Sequence, residues 1–294
     1  MSWQPHTVTS TEFVDPGPVA ALTALLDSGA PAVAAGDVLP PLWHWVALPR
    51  WPASSRIGSD GHPVRGSFLP PVRLPRRMFA GGEIECRADI LVGSTVRREA
   101  TVVSVTPKSG RSGDLVLVTV EITLYNPDDR PALVERQNLI YREGAPARAE
   151  PLRPPDIAPA GKPLSRTGPG RWELRTDPTL LMRFSAATAN PHRIHYDWPY
   201  ATGAEGYPGL VVHGPLMTLS LAETLRHDAP DSVPAVLRHR NIAPLFCAQP
   251  ARIEQRDTGT GFALAVAGTD ASGAAVTHTE LSGEFRSREG SSDA

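Results

Sequence analysis

Between Gly82 and Tyr141, four runs of β-branched and aliphatic residues follow one another with little between them. They are Gly82–Gly93, Thr95–Val105, Leu115–Tyr125 and Leu133–Tyr141, and they carry a period-two alternation of apolar and polar side chains. That alternation predicts strands with one face on a core and the other toward water. Such short connections predict an antiparallel meander. The Gly-rich segment Lys108–Gly113 is the expected hairpin turn between the second and third runs.

The plan recurs. Leu237–Phe246, Ala251–Arg256, Gly261–Gly268 and Ala275–Leu281 form a second strand series. Ahead of it stands one amphipathic run, Pro215–Arg226, with proline just inside the predicted helix start, where its missing N–H costs nothing. A shorter helix is predicted over residues 16–29, stopped by Gly29. The halves form a weak internal repeat of entry segment, helix or helix remnant, and meander, with Gly82–Thr101 opposite Leu245–Asp257. The class is α+β. Prolines cluster in 38–76 and 145–169, and proline is excluded from helix interiors and central strands, so both segments read as loops. The second is the expected boundary, giving a unit over 1–145, a linker over 146–169 and a second unit over 170–294. The first is long for a loop inside a compact domain and is expected to be functional. Its Trp43 and Trp45 either line a pocket or plug a gap between layers. The polar tail from Ser287 is expected to fray.

A net charge of −2 points to neither nucleic acid nor a membrane surface as partner. No apolar run approaches the length of a membrane span, and no leader is evident at the N-terminus. Cys86 and Cys247 make no metal or disulfide pattern, so buried free thiols in a reducing compartment, the cytoplasm, are expected. No Gly-rich phosphate loop or metal cluster is visible, and no metal is expected.

The chemistry-bearing residues concentrate in Phe184–Ala201 and Gly206–Met217. His192 and His195 stand three apart beside Asn190, and His213-Gly214 opens the predicted helix. A helix mouth presents free N–H groups and a positive dipole end, which hold developing negative charge. An imidazole, with an ordinary pKa near about 6.5, exchanges protons in both directions at neutral pH.

Asn190-x-x-x-Ile-His195-x-Asp-x-x-Tyr-Ala201, followed by Gly209-Leu-Val-Val-His213-Gly214, resembles the hydratase signature of the MaoC-like dehydratases. These are the (R)-specific enoyl-CoA hydratase branch of the hotdog superfamily. The family pattern is Asp-x-Asn-Pro-x-His; read without gaps, Asn190 falls on its Asp and His195 on its His, and His192-Arg193 replace the Asn-Pro. This variant is similar to the branch holding the hydroxyacyl-thioester dehydratase type 2 proteins and the 3-methylfumaryl-CoA (mesaconyl-C4-CoA) hydratases. The match is strong over 184–250 and weaker in the N-terminal half. It implies a double hotdog, two antiparallel sheets each wrapped around a helix and paired within one chain. The N-terminal half would be a partner domain that builds the acyl pocket without supplying acid or base. Two such chains could pair as a homodimer.

The activity implied is reversible hydration of an α,β-unsaturated acyl-CoA, with CoA part of the substrate and no separate cofactor. Within that resemblance the expected reaction is 3-methylfumaryl-CoA to citramalyl-CoA. A 3-hydroxyacyl-thioester dehydratase or an itaconyl-CoA hydratase is the runner-up. A hotdog thioesterase and a non-catalytic acyl-CoA-binding module are the alternatives of other classes. His195 would be the acid/base, Asn190 would hold the water, and the Gly214 N–H would receive the thioester oxyanion. Because an amide cannot exchange protons, either His195 moves both protons or a second group, such as His192 or a substrate carboxylate, takes one. His192 either orients His195, lines the pocket or merely replaces a turn. Arg193 either pairs with a substrate carboxylate or CoA phosphate, or forms a surface salt bridge. Tyr207 and Gly209 are placed at the substrate, and His213 at the helix entry as a substrate neighbour that shapes it. Asp197 is expected to cap the segment that follows it, and Met217, Leu219 and Leu221 to be core. Lys108–Gly113 reads first as a solvated turn and second as a basic contact for CoA phosphates.

Overall fold

The computed structural model describes residues 3–110, 113–144, 146–256, 258, 261–270 and 272–286. The strands are β1 Thr7–Phe13, β2 Arg76–Cys86, β3 Thr95–Gly110, β4 Gly113–Tyr125, β5 Pro131–Arg142, β6 Leu164–Gly168, β7 Arg171–Leu174, β8 Pro234–Asn241, β9 Ala251–Arg256, β10 Phe262–Thr269 and β11 Ala275–Phe285. The helices are α1 Pro16–Leu26, α2 His44–Ala47, α3 Pro178–Ala187 and α4 Gly214–Asp228.

The strands form one sheet in the order β1-β3-β4-β5-β2-β8-β11-β10-β9-β7-β6. Outward from the β2–β8 seam the order is β5, β4, β3, β1 on one side and β11, β10, β9, β7 on the other, so one plan is laid down twice. At the seam Ile84 faces Leu237 and Glu85 faces Val236, antiparallel. Each half thereby covers the strand edge the other would expose. This is a double hotdog, with the two sheets fused into one. Strand β4 shows why these residues fold so: Val118, Val120, Ile122 and Leu124 are buried while the residues between them are only partly covered, the period-two pattern of a sheet with one core face.

The same local chemistry starts both halves. Asp15 caps α1, accepting from Gly17 N at 2.7 Å, and Asp177 caps α3, accepting from Leu180 N at 2.6 Å, each followed by proline at the helix start. The halves then diverge. In the C-terminal half α4 is buried along Leu216–Leu225, as a helix enclosed by a sheet must be. In the N-terminal half the corresponding place holds only the single turn α2, inside the irregular, proline-rich segment that runs to β2.

Several boundaries differ from the sequence reading. β2 lies over Arg76–Cys86 instead of 82–93, because residues 87–94 form the turn into β3. In the repeat, β2 therefore stands opposite β8 and β3 opposite β9. Strand β1 and helix α3 were not foreseen, and Leu164–Gly168, within the proline-rich 146–169, is strand β6 at the sheet's edge. Met217, Leu219 and Leu221 are buried as expected. Cys86 and Cys247 are free, half-buried thiols. Residues 111–112 of the basic turn, and the tail from Ser287, lie outside the described residues. Among the described residues no helix is long and apolar enough to cross a membrane.

Candidate active site

The end of α3 sets the geometry. Asn190 N bonds to Ser185 O at 2.9 Å, and the Asn190 side-chain oxygen accepts from His192 N at 3.2 Å. That bond assigns the free end of the amide as Nδ2. A single 3₁₀ turn, Arg193–His195, then swings His195 inward. Its Nδ1 donates to Val211 O at 2.7 Å, since a carbonyl can only accept; this fixes the tautomer and leaves Nε2 with a bare lone pair. His213 stacks on the His195 ring at 3.6 Å between centroids, and His192 meets it edge-on at 5.5 Å.

The N-terminal half reaches the same place. Gly61 has φ +89°, and a Cβ there would lie 1.9 Å from Pro191 O, so only glycine lets this loop press against the His192 turn. Arg193 N donates to Asp60 O at 3.0 Å across the contact. Asp60 then accepts twice from one residue, from His62 N at 2.9 Å and from His62 Nδ1 at 2.9 Å. The His62 ring packs on His192 at 3.9 Å. A carboxylate and four imidazoles thus run Asp60–His62–His192–His195–His213 from one half into the other.

A cavity of about 460 Å³ opens on this row. His195, His192, Asn190, Gly214 and Tyr207 line it from the C-terminal half, and Asp60, His62 and Arg77 from the N-terminal half. A second cavity of about 430 Å³ adjoins it through His62, Arg77, Phe79, Asn190 and Pro215. This second space lies where a long helix is absent; Val120, Ile122 and Leu124 of β4 line it with Trp45, and β5 adds Glu135, Gln137 and Leu139. The two readings of the tryptophans divide between them: Trp45 lines the cavity, and Trp43 is buried in the core as a plug.

Gly214 begins α4, so its N–H has no carbonyl four residues earlier to bond. A Cβ at Gly214 would come 2.4 Å from Asn241 Nδ2. That amide is itself pinned, donating to Phe79 O at 2.9 Å and accepting from Thr279 Oγ1 at 2.9 Å.

Burial dominates the titration of the row. It lowers His195 to about 4, partly opposed by the Val211 carbonyl. It lowers His62 to about 4, aided by the Arg77 charge and opposed by Asp60. His192 and His213 are also held well below the ordinary range, by burial first and by neighbouring imidazoles second. Burial pushes the Asp60 carboxyl the other way, but its hydrogen bonds and charge contact with His62 hold it below the usual carboxylate range. At neutral pH the row is neutral imidazole anchored by an ionised carboxylate.

The remaining sequence candidates fall as follows. Arg193 does not line the cavity. Its fork lies on Asp197, at 2.8 and 2.7 Å, its third nitrogen on Ser59 O at 3.0 Å, and its plane over Tyr200, which is the salt-bridge alternative. Asp197 also accepts from Tyr200 N at 3.1 Å, the expected cap. His213 is wholly buried behind His195, with Nε2 on Ser185 Oγ at 2.8 Å, so it supports the ring and does not face the cavity. Gly209 packs against Trp198, away from the cavity wall. Tyr207 lines the cavity with Arg76 over its ring at 4.7 Å. Asp60 and His62 were not singled out in the sequence, since nothing in a proline-rich loop far upstream of the signature marks them. Asp60, His62 and His192 are also the group whose ligand-type atoms, all within 4.8 Å of one another, have the composition of a metal site.

A double hotdog with an imidazole and an open helix mouth on one cavity belongs to the class of enoyl-thioester hydratases and dehydratases. The chain matches the family described as hydroxyacyl-thioester dehydratase type 2 over residues 42–247, and it belongs to that family. It is 45% identical over 267 residues to a mesaconyl-C(4)-CoA hydratase of Chloroflexus aurantiacus, covering 90% of each chain. Among solved structures it resembles a MaoC-like dehydratase, with TM-score 0.67 at 12% identity over 97% of this chain and 98% of that one. A Mycobacterium tuberculosis protein described as having a double hotdog fold aligns with TM-score 0.55 at 16% identity, over 97% and 95% of the two chains.

Proposed function

We propose that the chain reversibly adds water across the double bond of 3-methylfumaryl-CoA (mesaconyl-C4-CoA), giving citramalyl-CoA. The substrate rests on the 45% identity to the Chloroflexus aurantiacus hydratase. The reaction rests on one observation: the bare Nε2 edge of His195, with Nδ1 committed to Val211, opens on the same cavity as the first N–H of α4.

In this reading His195 Nε2 takes a proton from a water steadied by Asn190 Nδ2, and the water oxygen bonds to the β carbon. The π electrons move toward the thioester, and the resulting oxyanion is met by the Gly214 N–H and the dipole of α4. A proton then bonds to the α carbon. His195 can return its own, or pass it to an adjoining neutral imidazole that releases a proton to the α carbon in exchange. His192 lies between His195 and His62, and Asp60 can stabilise a proton on His62, so the carboxylate absent at Asn190 has a counterpart at Asp60. Both Asp60 oxygens are occupied by His62, which weighs against the hydrolytic water activation that a thioesterase needs. The N-terminal half, on this view, supplies the acyl cavity and also part of the proton path. The test is incubation of the protein with 3-methylfumaryl-CoA, read by mass spectrometry. A gain of about 18 daltons without free CoA is the expected outcome, since hydration leaves the thioester intact; released thiol would instead make it a thioesterase.

A further inference from the structure

Arg77, on β2, sits on the wall common to both cavities. Arg142 and Arg98 each line only one of the two cavities, and three further arginines are occupied. Arg76 bonds Glu205, Arg193 bonds Asp197, and Arg65 donates to the carbonyls of Val72, Leu74 and Pro75. Among the described residues no carboxylate lies within the 4.0 Å of an ion pair with Arg77. The carboxylate whose charge reaches it, Asp60, has both oxygens on His62. Burial works against the Arg77 charge, and that charge in turn depresses both His62 and His192, which sets the guanidinium close to the imidazole row. The Tyr141 phenol also supports the Arg77 charge but, being neutral, does not balance it; a cation withdrawn from water without a counter-ion is costly, and an arriving anion offsets that cost.

We propose that Arg77 receives the free carboxylate of the substrate, so that the site selects mono-thioesters of unsaturated dicarboxylic acids. This rests on the hydratase reading and gives the cation role to Arg77 in place of Arg193. The chemistry fixes where such a cation must stand. In 3-methylfumaryl-CoA the free carboxylate is bonded directly to the carbon that takes the hydroxyl. Its receptor therefore belongs beside the water-activating imidazole, not at the far end of an acyl tunnel. A guanidinium fork grips both carboxylate oxygens, which orients the β carbon as well as neutralising a charge that would oppose enolate formation next to it.

The experiment compares wild type, Arg77→Gln and Arg77→Lys on two thioesters, 3-methylfumaryl-CoA and 3-methylcrotonyl-CoA, which carries a methyl in place of the carboxylate. Both kcat/KM and the equilibrium affinity for each thioester are read. The preference for the diacid over the neutral thioester is expected to fall roughly 10²–10³-fold in Arg77→Gln and less in Arg77→Lys, which keeps charge but loses the fork. An unchanged preference, in rate and in affinity, would overturn the assignment, as would a Lys variant that loses as much as the Gln variant. If wild type turns over neither thioester, the hydratase reading fails on its own, and the ratio of affinities still decides Arg77. If Arg77→Gln does not fold, the Lys variant decides: full retention of the preference contradicts recognition by the fork.

Discussion

The two halves of the molecule begin alike and end differently. Each has, after its first strands, an Asp-capped, Pro-started helix, α1 or α3, and each closes with a three-strand meander whose last strand pairs with the strand that precedes the meander, β5 with β2 and β11 with β8. Between those parts the C-terminal half keeps a fifteen-residue buried helix, and the N-terminal half keeps one turn. The helix gives the first half of the comparison its chemistry: a mouth at Gly214, a stacked imidazole pair, and a close-packed core around Leu216–Leu225. Its loss gives the N-terminal half a cavity lined by Trp45, by the apolar face of β4 and by Glu135, Gln137 and Leu139 of β5. The proline-rich chain that replaces it is long enough to cross to the partner half and lay Asp60 and His62 against His192. On the proposed reading one duplicated scaffold divides the work, the C-terminal half presenting the reacting groups and the N-terminal half making room and adding Asp60 and His62.

That division can be broken at the crossing point. If the N-terminal half only shapes the cavity, His62→Gln, which keeps a hydrogen-bonding side chain of similar length, leaves the rate within a few-fold of wild type. If it carries part of the proton path, kcat falls ~10–10²-fold at unchanged thioester affinity, within the range typical of a positioned acid or base. Rapid-mixing turnover with parallel binding measurements separates the two.

A smaller effect sharpens the same comparison. His195 and His62, from opposite halves, are both lowered from 6.5 to about 4 by burial. The base form therefore persists under mild acid, and the acid limb of kcat/KM is expected well below pH 6.5, approaching 4. Stability moves the opposite way from a paired, pKa-raised histidine. In the unfolded chain these imidazoles bind protons as pH falls through about 6.5, while in the folded chain they stay neutral until about 4. Folding stability is therefore complete above about 6.5 and is lost progressively between 6.5 and 4, by up to about 1.4 kcal/mol per pH unit for each such group. Thermal melts across that interval check the slope.

How much of this was legible in the sequence follows from how far each signal travels along the chain. The meanders, α4 and the His195 turn are local patterns, period two, period 3.6 and a proline at a helix start, and they read directly from the residues. The signature also carried Asn190, His195 and Gly214 onto one cavity. Helix α3 was readable too, because Asp177-Pro178 repeats Asp15-Pro16. Strands β1 and β6 are the two edge strands of the sheet, where a short segment carries little pattern. Of the two readings of Arg193, the structure forms the salt bridge, because Asp197 lies one helical turn on, a pairing visible at i,i+4. Asp60, His62 and Arg77 had no local mark at all. Their contact depends on Gly61 tolerating both a positive φ and the close approach of Pro191, a condition set by tertiary packing.

The central claim is that the imidazole of residue 195 moves the proton, and its most direct test is a paired measurement on His195→Ala. The account predicts turnover of 3-methylfumaryl-CoA reduced by ~10²–10⁴-fold or more while the affinity for the thioester stays within a few-fold of wild type. A folded variant that hydrates the substrate at near wild-type rate would contradict it.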